Sequence, residues 1–152
     1  MQIDLRIREL NLVLPPPPVP AGSYEAVVFA GDMAYLSGLI SKTADGKIIS
    51  GKVGRDLSLE EGRLAAKAAA LNVLSVIQTR IGFERLMRLV RLVGFVQAAP
   101  DFYEIPQVVN GASDLFLEVF GEKGSHARSA AGMASLPLNA AVELEVTLQI
   151  KL

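Results

Sequence analysis

Two charged residues near the end of the sequence have the types and spacing to act on a small carboxylate. Arg128 lies in the stretch ARSAAGMASLP, and Glu143 lies in the alternating stretch VELEVTLQIKL. A guanidinium binds a carboxylate through two parallel hydrogen bonds, and a carboxylate can position and partly deprotonate a water molecule. If the two side chains converge, we expect Arg128 to hold the substrate and Glu143 to handle the water. The ordinary alternative is a surface salt bridge for Arg128 and a solvated Glu143.

The alternation around Glu143 predicts the strand that carries it. Even-numbered residues from Val142 to Leu152 are apolar, and the odd-numbered ones are polar or charged. A period of two indicates an antiparallel strand with one buried face. Leu136-Pro137 ends the preceding strand, because proline has no N–H to donate to a sheet. Arg128 and Glu143 are therefore predicted near the starts of two successive strands.

Two long helices are predicted upstream of these strands. Residues 58–61 (SLEE) form a capping box, and the helix that follows runs to about Ile81, where Gly82 stops it. Pro106 suits the first turn of the second helix, which Gly121 ends. We expect both helices to pack on the same face of one sheet.

The remaining strands are predicted from short β-rich runs. They are residues 25–29 and 33–37 with the turn Ala30-Gly31-Asp32 between them, a small candidate at Ile48-Ile49, and a strand from about Arg88. The predicted order is β-β-(β)-α-β-α-β-β, an α+β fold with a single mixed sheet. Since two helices on one side cover only one sheet face, we expect a second subunit to cover the other.

Residues 1–20 are predicted to form an extension ahead of the main domain at 21–152. Apolar residues recur at helical spacing up to Leu14, which indicates a short helix packed on the body. Prolines at 15–18 and at 20 then impose an extended polyproline segment. We interpret this segment as a stiff connector rather than as a partner-binding proline motif.

Composition favours one domain that associates with itself. The chain has 152 residues, 51% of them hydrophobic and 20% charged, which is apolar for a small soluble protein. The net charge is −1 without a basic tract, so a nucleic-acid-binding face is not indicated. The absence of cysteine excludes disulfides and thiolate chemistry, and a single histidine excludes most histidine-based metal sites. The sequence shows no signal-peptide layout and no bilayer-length apolar run, so a cytoplasmic location is expected.

Three further side chains are candidates for a site, each with an ordinary alternative. His126 lies two residues before Arg128, but a lone histidine in a loop is more often incidental. Tyr24 follows the proline segment and is equally well explained as a hydrophobic plug with a hydrated hydroxyl. Asn110 lies on the polar side of the second helix, where plain solvent exposure is the alternative. The sequence contains no nucleophile-elbow motif and no glycine-rich phosphate loop.

The pattern R-S-x-x-G-x-A-x-L-P followed by V-E-L-E resembles the C-terminal signature of the RidA family, whose members are also called YjgF-like or L-PSP endoribonuclease-like proteins. The resemblance extends from about Tyr24 to Ile150. It includes the loop Gly22-Ser23-Tyr24, the pair Ser37-Gly38, and the helix pattern of Asn110, Ser113 and Phe116.

The resemblance implies a chorismate mutase-like fold that assembles as a homotrimer, with active sites in clefts between subunits. Deaminase members of the family hydrolyse 2-imino or enamine acids to 2-keto acids and ammonia. The catalytic roles then fall on Arg128 and Glu143. The substrate-binding residues implied by the resemblance are Tyr24, Ser37, Gly38, Asn110 and Ala130. A small carboxylate is the implied partner, and neither a metal nor an organic cofactor is implied.

Three departures from the family pattern bear on function. Ala130 stands where many members have cysteine, residues 1–20 have no counterpart in the short members, and one extra residue separates Asn110 from Arg128. Since Arg128 and Glu143 carry the expected chemistry, the missing cysteine need not abolish hydrolysis. Imine hydrolysis is therefore the first hypothesis. A non-catalytic trimeric protein that binds or senses a small carboxylate is the second, and an endoribonuclease is the third.

Overall fold

A five-stranded mixed sheet forms the centre of the fold in the computed structural model, which describes residues 2–152. The strands are β1 (Val27–Ala30), β2 (Met33–Ile40), β3 (Leu86–Gln97), β4 (Ala127–Met133) and β5 (Val142–Ile150). Their order across the sheet is β1-β2-β5-β3-β4. β3 and β4 are parallel and are joined by a helical crossover, whereas all other neighbouring strands are antiparallel. The predicted single mixed sheet is confirmed.

The two long helices are α2 (Leu59–Val76) and α3 (Ile105–Phe120), and both pack on the same face of the sheet, as predicted. A short N-terminal helix, α1 (Ile3–Glu9), is also confirmed. Within it, Ile3 and Ile7 are buried in the common core, so the helix is part of the packed body.

The predicted start and end signals of the helices are largely confirmed. At the start of α2, the Ser58 hydroxyl accepts a hydrogen bond from the N–H of Glu61, whose carboxylate accepts one from the N–H of Ser58. Pro106 lies in the first turn of α3. The end of α2 differs from the prediction, because Ile77–Ile81 form a π-helical turn before Gly82, which has a φ of 88°.

The alternation along β5 decides which face of the sheet meets the helices. The apolar residues Val142, Leu144, Val146, Leu148 and Ile150 are at most 2% exposed and pack beneath α2 and α3. Each such burial stabilises the fold by about 1.5–3 kcal/mol. Glu143, Glu145, Thr147 and Gln149 point to the opposite face. The last apolar residue of the alternating run, Leu152, lies beyond the strand and is 94% exposed.

The face opposite the helices is mixed in character. Besides the two glutamates of β5, it carries Val28 and Tyr35, which are cross-strand partners and are 54% and 47% exposed. Among residues 2–152, no helix or strand packs over this face, and only the polyproline segment and neighbouring loops lie beside it near Glu143. Taken over the same residues, none of the helices combines the length and the apolar character that crossing a membrane requires.

Several strand boundaries differ from the sequence-based ones. Ile48-Ile49 is not a strand, because only isolated bridges form there, from Ile48 to Lys42 and from Ser50 to Ala140. β2 continues past the predicted end at residue 37, and β3 starts two residues earlier than predicted. Between Leu36 and Leu39, β2 contains a β-bulge opposite β5. A bulge adds one residue to one strand and re-aims the side chains around it, which local pattern does not reveal.

The polyproline segment at residues 15–20 runs in an extended conformation without helix or strand pairing. It is fixed at its start, where the buried Ser75 hydroxyl of α2 donates a hydrogen bond of 2.7 Å to the carbonyl oxygen of Pro15. Pro15 is itself buried. The segment therefore follows a defined path along the body.

Candidate functional site

One cavity, of about 280 Å³, brings together four of the residues expected to form a site. Tyr24, Ser37, Gly38 and Glu143 all line it. Tyr24 comes from the loop before β1, the next two residues from the bulge of β2, and Glu143 from the start of β5 on the uncovered face of the sheet. The bulge is the reason that these residues meet, because it turns the backbone of β2 over the Glu143 side chain.

Gly38 is required at the bulge by the position of Glu143. A Cβ atom at residue 38 would lie 3.0 Å from Glu143 Cδ, 3.3 Å from its Cγ, and closer still to Oε1. Glycine therefore lets the carboxylate lie directly across the backbone of β2. Any larger residue at this position would displace the carboxylate while leaving the backbone in place, since the atoms in conflict belong to a side chain.

The carboxyl group of Glu143 titrates differently from an exposed glutamate. Burial raises the pKa of Glu143, and the negative charge of Glu145 on the same strand face raises it further. No lysine, arginine or histidine lies within 4.0 Å of the Glu143 carboxylate among residues 2–152. A carboxylate with a raised pKa is a better proton acceptor than an ordinary glutamate once it is ionised.

Tyr24 and Ser37 are oriented by backbone contacts. The Tyr24 hydroxyl accepts a hydrogen bond of 3.3 Å from the N–H of Ala21, and the side chain remains 51% exposed. The Ser37 hydroxyl donates to the carbonyl oxygen of Glu25 at 2.6 Å, so the lone pairs of this hydroxyl remain available to a ligand. Half of the Tyr24 side chain is open to the cavity and to solvent, which fits a packing surface for a substrate better than a hydrophobic plug.

Arg128 lies in a second, separate group of side chains. Its Nη1 donates to Asn110 Oδ1 at 2.7 Å and to Ser113 Oγ at 3.1 Å, and its Nη2 donates to the carbonyl oxygen of Pro106 at 3.3 Å. All three acceptors belong to α3 and all are neutral. Ala130 lies on the same face of β4, two residues further along, where it packs against the core.

His126 takes part in holding Arg128. Its Nδ1 lies 2.6 Å from the carbonyl oxygen of Gly124, so this nitrogen carries the proton and donates. Nε2 then accepts the hydroxyl proton of Ser113 at 3.0 Å. With its proton directed to His126, Ser113 Oγ presents lone pairs to the guanidinium of Arg128. The histidine, interpreted from the sequence as more often incidental, thus orients the serine that orients the arginine.

Arg128 and Glu143 lie on opposite faces of the sheet, so one chain does not bring them together. Arg128 is in register with Leu92, which is in register with Val146, and both are buried beneath the helices. Glu143 is in register with Phe95, three residues along β3 from Leu92 and therefore on the other face. The convergence considered from the sequence does not occur within the chain.

The cavity also has walls that the sequence did not indicate as part of a site. Pro18, Val19 and Pro20 of the polyproline segment form one side, and Leu138 of the turn before β5 forms another. The path of a proline segment and the aim of one turn residue depend on contacts far along the chain. No group of three or more histidine, aspartate or glutamate side chains that could hold a metal ion occurs in the described residues.

Comparison with known proteins identifies relatives over nearly the whole chain. The profile of the family described as "YjgF/chorismate mutase-like, putative endoribonuclease" matches residues 5–148. Protein TCP17 of Trypanosoma cruzi is 40% identical over 151 residues, covering 98% of this chain and 94% of that protein.

Solved structures give the same result. The Agrobacterium tumefaciens protein Atu1372 is 38% identical with a TM-score of 0.90, covering 99% of this chain and 94% of that one. A Shewanella oneidensis protein described as "a putative endoribonuclease" is 29% identical with a TM-score of 0.94, covering 98% of this chain and 99% of that one. The similarity thus includes the N-terminal segment. Profile, sequence identity and fold agree, and the chain belongs to the YjgF/chorismate mutase-like family.

Proposed function

We propose that the protein hydrolyses 2-imino or enamine acids to 2-keto acids and ammonia, in a site shared between two subunits of a homotrimer. One observation carries this proposal. The residues expected in the site form two groups on opposite faces of the sheet, a carboxylate beside a cavity and a guanidinium held by neutral acceptors. Two copies of the chain can bring the Glu143 carboxylate of one together with the Arg128 guanidinium of the other, which a single chain cannot do.

The proposed reaction begins with binding of the substrate carboxylate by Arg128 of one subunit. Glu143 of the neighbouring subunit accepts a proton from a water molecule while the oxygen of that water bonds to the imine carbon. The C=N π electrons move to nitrogen, which takes up a proton, and a carbinolamine forms. Collapse of the carbinolamine forms the C=O bond, breaks the C–N bond and releases ammonia. One water is consumed and one ammonia is released, and Glu143 returns to its ionised state.

The charge of Arg128 supports a carboxylate ligand. Within residues 2–152, no aspartate or glutamate lies within 4.0 Å of its guanidinium. Its acceptors are an amide oxygen, a hydroxyl oxygen and a carbonyl oxygen, which fix its direction without neutralising its charge. A guanidinium that is oriented in advance and still carries its full charge binds a carboxylate at low entropic cost.

The activity test uses an imine formed in place. 2-Iminobutanoate is generated from threonine by a dehydratase, and the formation of 2-ketobutanoate is followed with and without the purified protein. We expect acceleration over the spontaneous hydrolysis. If no imino acid in a broad series is hydrolysed faster, while 2-keto acids still raise the melting temperature of the wild type and not of Arg128→Ala, the protein is a carboxylate-binding module instead.

The assembly is tested by the mass of the protein in solution. One chain has a mass of 16.2 kDa, and we expect light scattering at micromolar concentration to give about three times this value. A closed three-fold arrangement covers the exposed Tyr35 and Val28 of each subunit without leaving an open surface for filament growth. A mass near that of one chain would exclude the shared site.

Substitution of Glu145 should shift the pH profile of the reaction. The negative charge of Glu145 contributes to the raised pKa of Glu143, so Glu145→Gln lowers that pKa. Since only the ionised Glu143 accepts a proton, the acid limb of the pH profile of kcat/KM should shift to lower pH in Glu145→Gln. Glu122→Gln, an exposed change outside the cavity, serves as the control and should leave the limb in place. A shift to higher pH would contradict the assignment of Glu143 as the base.

A further inference from the structure

The walls of the cavity beside Glu143 are largely aliphatic. Leu39, Ile40 and Ile48 line the cavity, together with residues 18–20 of the polyproline segment and residues 137–138 of the turn before β5. Two of the lining residues, Val19 and Leu138, are 83% and 73% exposed. Large apolar side chains that face solvent beside a cavity are an unfavourable arrangement unless a ligand or a neighbouring subunit covers them.

The turn that carries Leu138 is held in a conformation that leucine rarely adopts. Leu138 has a φ of 56° and a ψ of 24°, in the left-handed region, where a side chain with a Cβ atom is disfavoured. Backbone strain of this kind persists only where the surroundings enforce it, and it concentrates at functional sites. The left-handed backbone sets the direction of the Leu138 side chain, which lines the cavity.

A buried glutamine enforces this turn. Gln97, at the end of β3, is 2% exposed. Its Nε2 donates to Asn139 Oδ1 at 2.8 Å, and its Oε1 accepts from the N–H of Leu136 at 3.2 Å. The amide of one buried side chain thus fixes the residues on both sides of Leu138. The facing wall is fixed as well, because Ser75 holds Pro15 at the start of the polyproline segment.

We infer that the cavity binds the side chain of the substrate, and that this side chain is large and apolar, branched aliphatic or aromatic, with Val19 and Leu138 as the residues that set this preference. The inference rests on the proposed imine hydrolysis and adds its substrate class. The Glu143 carboxylate at the edge of the same cavity places the reacting imine carbon beside Glu143 and the side chain between the two apolar walls.

The competing preference is for a dicarboxylic imino acid. Lys42 also lines the cavity, is exposed, and makes no ion pair within 4.0 Å to any residue from 2 to 152. If its ammonium group bound a second carboxylate, the imino acids derived from glutamate and aspartate would be the best substrates. The aliphatic walls argue against this, since one lysine would replace only part of the hydrogen bonds that a second carboxylate loses on leaving water.

The test compares imino acids formed in place by amino acid oxidases from leucine, phenylalanine, alanine and glutamate. We expect kcat/KM for the leucine and phenylalanine derivatives to exceed that for the alanine derivative by roughly 10- to 50-fold, from the buried methylene groups. Equal values for leucine and alanine derivatives, or the highest value for the glutamate derivative, would overturn the inference.

Two variants connect the preference with the walls of the cavity. Leu138→Asn should lower the ratio of kcat/KM for the leucine-derived imino acid to kcat/KM for the alanine-derived one by roughly fivefold. Because asparagine tolerates the left-handed region, this variant should also melt at an equal or higher temperature, which separates the effect from unfolding. Val19→Asn should lower the same ratio. Leu152→Asn, at a 94% exposed position outside the cavity, is the matched control and should leave the ratio unchanged.

The inference can fail separately from the proposed function. If none of the imino acids is turned over, the preference is measured by calorimetry with the corresponding 2-keto acids, and tighter binding of 4-methyl-2-oxopentanoate than of pyruvate is the expected result. Equal affinities would overturn the inference whatever the activity. A change in the assembly mass of Leu138→Asn, with an unchanged substrate ratio, would assign Leu138 to a subunit contact and overturn it as well.

Discussion

Two inactive variants, Arg128→Ala and Glu143→Gln, are expected to restore activity when their subunits are mixed. Alone, each should lower kcat/KM by roughly 10²- to 10⁴-fold, the range for loss of a proton acceptor or of a substrate-orienting group. In a mixed trimer, some interfaces combine an intact Arg128 from one variant with an intact Glu143 from the other. Random assortment of equal amounts should give about a quarter of the wild-type activity.

The experiment requires co-expression or joint refolding, so that subunits exchange. A matched control mixes Arg128→Ala with Asn110→Ala, since both changes affect the same group of side chains. Both variants keep Glu143, but neither supplies an intact Arg128 group, so this mixture should gain nothing over the mean of its components. If Arg128 and Glu143 instead met within one chain, the first mixture would also stay inactive. Glu143→Gln should not melt below the wild type at neutral pH, because burial already disfavours the ionised carboxylate.

The direction of the pKa shift of Glu143 decides how its ionisation changes the stability of the fold. The pKa of Glu143 is raised on folding, so the folded state binds the proton more tightly than the unfolded chain does. The stability contributed by the protonated form is present at low pH and is lost as the pH rises from the unfolded pKa, about 4.3, through the raised folded pKa. At neutral pH the ionised Glu143 reduces stability, and glutamine removes this cost.

The substitution Gly111→Ala is expected to destabilise the fold by about 2 kcal/mol, despite the higher helix propensity of alanine. At Gly111 the backbone of α3 packs directly against the backbone of α2. A Cβ atom there would lie 2.9 Å from the carbonyl carbon of Arg63 and 3.1 Å from its Cα, and closer still to its carbonyl oxygen. These are backbone atoms of a helix, so the conflict is relieved only by moving α2 away from α3.

The melting temperature of Gly111→Ala should fall by roughly 4–8 °C. Gly132→Ala is the matched control, because a Cβ atom at residue 132 would meet its nearest neighbour, Ile105 Cδ1, at an ordinary 3.4 Å. Its melting temperature should stay within about 2 °C of the wild type. An unchanged melting temperature for Gly111→Ala would show that the two helices are free to separate without loss of packing.

Local pattern was sufficient to predict the long helices and the five strands of the sheet, although it wrongly added a strand at Ile48-Ile49. The alternation in β5 identified the strand and its buried residues, and the capping box at Ser58 located the start of α2. Both signals act within a few residues of the chain, where propensity and periodicity have their effect. The resemblance of the C-terminal signature then supplied the expected site residues, which the structure distributes over two groups.

The sequence alone could not predict on which face of the sheet each of the two groups lies. Whether Arg128 and Glu143 share a face depends on how β3 pairs with both β4 and β5, and a shift of one residue in either register would reverse it. The sequence around the wall residues gave no indication of the cavity either. The route of the polyproline segment is fixed by Ser75, and the left-handed Leu138 by Gln97, which are distant in sequence from the residues that they hold.

The separation of Arg128 and Glu143 by the thickness of the sheet links the proposed activity to protein abundance. A single subunit holds the two halves of the proposed site on opposite faces of its sheet, where they do not meet. Specific activity then follows the association equilibrium, and on dilution it falls more steeply than the number of chains does. The rate of synthesis and the turnover of the protein would thus regulate imine hydrolysis without any effector molecule.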